Sequence, residues 1–103
     1  MQLDNETIKR LRGIGHHLKP VVTIGGKGLT QNIIDETDRA LNDHELIKVR
    51  LPAGSKDERE QMANELAEAT NSKMVHSIGR MGLLLRQNPD ANPNLSNIVR
   101  YTY

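Results

Sequence analysis

The chain has 103 residues, 36% hydrophobic and 26% charged, with a formal net charge of +1 and no cysteine. This length suits one domain with a modest core, and this composition is globular rather than disordered. The missing cysteine excludes disulfides, thiolate metal sites and a cysteine nucleophile. No apolar run approaches the ~18 residues that span a bilayer, and Met1–Glu6 lacks the basic and apolar regions of a signal peptide. A cytoplasmic protein with no membrane partner is expected.

A first helix is predicted from Asp4, with Leu3 and Ile8 placed as a hydrophobic staple around an Asp4 N-cap. Ile8, Leu11 and Ile14 form its apolar face, while Lys9, Arg12 and His16 fall together on another at i, i+3 and i+7. Gly13 and Gly15 weaken its end. Pro20-Val21-Val22-Thr23-Ile24 reads as a strand, and Thr30 caps a second helix with a buried stripe of Ile33, Ile34, Thr37, Ala40 and Leu41.

Leu46–Leu51 alternates with period two, placing Leu46, Lys48 and Arg50 on one face and Ile47, Val49 and Leu51 on the other. Ser55-Lys56-Asp57-Glu58 is a capping box that opens a third helix. A strand follows over about Lys73–Ile78, then a turn Gly79-Arg80-Met81-Gly82 and a hairpin partner Leu83–Arg86. Residues 1–87 form the domain. From Asn88 to residue 103 the chain is Asn- and Pro-rich and is expected to be a polar, mobile tail, with Ile98–Tyr101 open as either a strand or a docking segment.

The expected fold class is therefore α+β, in the order α-β-α-β-α-β-β. It is a two-layer sandwich with helices packed on a four-stranded mixed sheet. One sheet face stays partly open, and Lys48 and Arg50 suit it.

The small net charge hides a segregated distribution. Residues 1–28 carry +3, 29–45 carry −4, 46–51 carry +2, 52–72 carry −3 and 73–103 carry +3. Such a dipole can orient a protein on a polyanion. Asp35, Glu36 and Asp38 also read as a plain solvated helix face.

The chemistry-bearing motif is Gly25-Gly26-Lys27-Gly28, a glycine-rich turn between a strand and a capped helix. Backbone N–H groups there can approach an anion closely, and the helix N-terminus adds partial positive charge. A Walker A loop fails, because Val21 and Gly28 stand where it needs glycine and Ser or Thr; a dinucleotide turn fails at Leu18. What remains is G-x-x-G, the backbone clamp of KH-type RNA modules. On local pattern alone a structural turn with an incidental lysine is an equal reading.

Adjacent His16 and His17 point roughly 100° apart on a helix and cannot share a metal, so no metal or cofactor is expected. His16 beside Lys9 and Arg12 suits a phosphate contact, a helix cap or a solvated surface histidine. No catalytic constellation is visible. The only aromatics, Tyr101 and Tyr103, lie in the tail, so binding through phosphate and shape is expected, with base stacking nearly excluded in the body.

Leu11-Arg12-Gly13, His16–Val22, Ile24–Thr30 and His44–Val49 together resemble the CRM domain (chloroplast RNA splicing and ribosome maturation), in its stand-alone bacterial YhbY-type form. The resemblance covers residues 3 to 87. It implies a fold similar to the C-terminal domain of translation initiation factor three, and ribosomal RNA in precursors of the large subunit as partner. It also implies that Gly25, Gly26, Lys27 and Gly28 form the family loop, with Arg12, His16 and Lys19 as its basic approach. Lys9, Lys48 and Arg50 complete the expected RNA-binding set. The expectation is a monomeric, non-catalytic RNA-binding protein of large-subunit assembly. The alternative is a ribosome-associated factor that docks basic ribosomal proteins on its acidic helix faces.

Overall fold

The computed structural model describes residues 1–101, so Tyr103, one of the two tail aromatics, lies outside the described residues. Eight elements follow in order: α1 (Asn5–Gly15), β1 (Pro20–Thr23), α2 (Gln31–His44), β2 (Leu46–Arg50), α3 (Lys56–Ala69), β3 (Lys73–Ile78), β4 (Met81–Leu85) and α4 (Asn97–Arg100). The sheet order is β1-β2-β4-β3. β1 runs parallel to β2 through the α2 crossover, and β2-β4 and β4-β3 are antiparallel. The α+β class, the mixed four-stranded sheet and the α-β-α-β-α-β-β order are those expected.

Side-chain oxygens set the helix starts. Asp4 accepts from the Thr7 N–H at 2.8 Å, and Thr30 accepts from Ile33 N–H at 3.3 Å. Ser55 and Glu58 form the reciprocal capping box, each side chain bonded to the other's backbone N–H. Pro20, which cannot donate to a ladder, occupies the first position of an edge strand.

Alternation along β2 divides the interior in two. Ile47, Val49 and Leu51 point to α2 and α3 and join Val22, Ile24, Leu41, Ala63, Leu66 and Leu84 in the larger core. Leu46 points the other way and joins Leu83, Leu85, Leu11 and Ile14 under α1. The two-layer arrangement of α2 and α3 on the sheet thus carries α1 across one end of its second face. Gly15 allows the close approach: a Cβ there would stand 3.1 Å from both Leu83 methyls. Beyond α1 that second face is open, where Lys48 is half-buried and Arg50 exposed.

Two boundaries differ from expectation. The hairpin turn is only Gly79-Arg80, and Met81 and Gly82 already pair with Ile78 and Ser77. Residues 88–100 do not trail away from the body. Glu45, buried at the end of α2, accepts from the Asn88 N–H at 2.7 Å and from the Ser96 hydroxyl at 2.8 Å. Asn97 donates to the Leu46 carbonyl at 2.7 Å, and Ile98 packs on the α1 core. Ile98-Val99-Arg100 is therefore a helical docking segment, not a strand.

Candidate nucleic-acid interface

The glycine loop leaves the C-terminal end of β1, where Thr23 pairs with Arg50 and the Ile24 N–H donates to the Arg50 carbonyl at 2.9 Å. Arg50 therefore flanks the loop directly. The turn closes with the Gly28 N–H donating to the Gly25 carbonyl at 3.0 Å. Gly28 sits at φ +72, in the left-handed region that glycine enters without a Cβ penalty. Gly25, Gly26 and Lys27 are exposed, and among the described residues their three N–H groups have no protein acceptor.

The helix that follows strengthens this geometry. The first turn of α2 contains no acidic residue, whereas that of α3 holds Asp57 and Glu58. The positive end of α3 is answered by its own side chains; that of α2 faces the loop uncompensated. Arg59 and Arg80 brace the neighbouring turns at this end of the sheet: Arg59 donates to the carbonyls of Gly54 and Gly79, and Arg80 to that of Leu51. These two guanidiniums are structural.

A second cationic group lies on the open sheet face. Arg12 and His16 from α1 meet Lys48 from β2 and His76 from β3 around a small recess of about 70 Å³, whose apolar lining is Ile78, Met81 and Leu83. Lys9 adjoins it, lining a shallower hollow with Arg12 and His16. The only ion pairs among the described residues are Lys56–Glu60 and Arg86–Asp38. Among the described residues no carboxylate pairs with Lys9, Arg12, Lys27, Lys48 or Arg50. Lys19 is exposed in the turn before β1 and lies outside the recess.

His76 was not among the sequence-predicted site residues. A bulge between Met74 and His76 breaks the alternation of β3, so Met74 packs into the larger core while His76 stands opposite Leu83 on the open face. Period-two reading puts the two on one face, and nothing local in Met74-Val75-His76 signals the bulge. Burial lowers the His76 pKa from its ordinary 6.5, and the nearby positive charge of Arg12 and His16 lowers it further.

The profile of the CRS1/YhbY (CRM) domain matches residues 3–86. The chain belongs to the CRM domain family. A Pseudomonas aeruginosa protein named a probable RNA-binding protein is 48% identical to it over 101 residues, 98% of this chain and 97% of that one. A Haemophilus influenzae protein named an RNA-binding protein is 38% identical over 85 residues, covering 82% and 86% of the two chains. Among solved structures, a Staphylococcus aureus protein described as a candidate RNA-binding protein superposes with a TM-score of 0.77. It is 32% identical, over 88% of this chain and 95% of that chain. Among the described residues, no helix is long and apolar enough to cross a membrane.

Proposed function

We propose that this CRM protein is a non-catalytic RNA-binding protein that docks structured ribosomal RNA during assembly of the large subunit. The observation that carries the reading is the glycine loop. It presents three exposed N–H groups without acceptors, a lysine at its tip, and a helix N-terminus with no acid of its own. Those features suit a backbone phosphate. Arg12, Lys48, Arg50, Lys9 and Lys19 add charge that no carboxylate among the described residues offsets, the His16 imidazole stands beside them, and phosphate contacts of this type fix position and register rather than sequence. The names of the relatives support RNA as the partner; the ribosomal assignment rests on the family resemblance.

Crosslinking in cells, followed by mapping of the attached RNA, tests this reading. Crosslinks concentrated on large-subunit ribosomal RNA, through peptides containing Lys27 or Arg12, are expected. Crosslinks to messenger RNA alone would overturn the ribosomal assignment. Recovery of ribosomal proteins without RNA, sensitive to charge reversal at Asp35 and Asp38, would instead favour docking through the acidic faces.

A further inference from the structure

The recess on the open sheet face combines two properties that a phosphate site alone does not need. Its rim sets the cations Arg12 and Lys48 beside the imidazoles of His16 and His76, and no carboxylate lines it. Its lining is apolar, with Met81 half-buried, Leu83 buried, and Ile78 66% exposed. An exposed isoleucine at the end of a strand beside two fixed cations, Arg12 and Lys48, offers apolar surface to a ligand that also carries negative charge. A nucleotide unites both: a flat base with an apolar face, joined to a phosphate.

The geometry points to a subsite for one unpaired nucleotide of the bound RNA, its base laid on Ile78 and Met81 and its phosphate held by Arg12 and Lys48. This rests on the RNA-binding reading and goes beyond it, because it assigns base contact to a part of the fold other than the glycine loop. The absence of Phe, Tyr and Trp from the strands does not forbid it: the His76 imidazole, brought to this face by the bulge, offers a ring that bases stack on. A duplex presents no free base face, so only a bulged, looped or terminal nucleotide can enter. Gly15 shapes one wall, since a Cβ there would stand 3.1 Å from the Leu83 methyls and make them give way.

Binding of two RNA hairpins tests the subsite, one fully paired and one carrying a single unpaired uridine, with methyl and imidazole NMR signals followed during titration. The wild-type protein is expected to prefer the bulged hairpin by roughly five- to tenfold, with shifts at Ile78, Met81 and His76. Ile78→Ser, at an exposed position that does not threaten folding, should remove most of that preference, and His76→Ala part of it. Lys27→Ala should weaken both hairpins alike and leave the preference intact. Equal binding of the two hairpins by the wild-type protein overturns the subsite while RNA binding stands. An undiminished preference in both Ile78→Ser and His76→Ala also overturns it. Binding of neither hairpin, or recess shifts produced by poly-glutamate and not by RNA, overturns the subsite and the RNA-binding reading together.

Discussion

At His76, one extra residue in a strand decides whether an imidazole faces the core or a cationic recess. The groups around it are Arg12 and His16 from α1 and Lys48 from β2; β4 contributes only Met81, Gly82 and Leu83. Burial and positive neighbours disfavour its charged form, so its folded-state pKa lies below 6.5. The sign follows from proton binding. Well above 6.5 the folded and unfolded states are both neutral here and the group has no effect on stability. As pH falls through 6.5 the unfolded chain takes up the proton first, and stability drops until the lowered folded value is passed. Denaturant unfolding at about pH 7.5 and about pH 5.5 should therefore show a larger loss in the wild-type protein than in His76→Gln. An equal loss in the two would remove His76 from this role. Asp4 and Glu58 act in the same direction, at lower pH. Their backbone hydrogen bonds to Thr7 and Ser55 lower both pKa values, so the caps hold at neutral pH and weaken as acid protonates them.

Local chemistry writes the elements here, and distant chemistry joins them. The Asp4, Thr30 and Ser55 caps were legible because an N-cap and its partner lie within three or four residues of each other. The β2 alternation was legible because Ile47, Val49 and Leu51 face the larger core while the other face carries half-buried Lys48 and exposed Arg50. The bulge in β3 was not legible, because it answers to the register against β4 rather than to its own residues. Nor was the docking of residues 88–100. Its anchor, Glu45, lies 51 residues from Ser96, and an Asn- and Pro-rich segment gives no local sign of a buried carboxylate waiting for it. Glu45 ends α2 at φ 62, and its two carboxylate oxygens are taken by Asn88 and Ser96. Ser96→Ala leaves one buried oxygen without its donor and should cost about 1–3 kcal/mol in denaturant unfolding. A loss within error of zero would mean that the segment contributes nothing to the body. Tyr101 extends the dock, its ring stacked on His17 with centroids 6.1 Å apart.

Over the whole molecule, the charge blocks along the chain become two faces. The acidic residues of α2 and α3 lie on the helical layer over the larger core. Lys9, Arg12, His16, Lys48 and His76 gather on α1 and the open sheet face, with Arg50 continuing to the glycine loop. A net charge of +1 is compatible with tight binding to a polyanion when one face carries the positive charge and the other turns away. The site residues named from the sequence fall on this side in two groups. The loop and Arg50 sit at one end of the sheet, Arg12, His16 and Lys48 surround the recess, and Lys19 stands apart from both.

The central claim is that the glycine loop and the α1 cations neutralise RNA phosphates, and the salt dependence of binding tests it most directly. For a hairpin taken from large-subunit ribosomal RNA, the affinity of the wild-type protein should fall steeply with salt. Lys27→Ala and Arg12→Ala should each bind more weakly and flatten that dependence by up to about one unit of slope per lost contact. Both side chains are exposed and unpaired, so folding should be unaffected. Slopes unchanged from wild type in both variants would contradict the account.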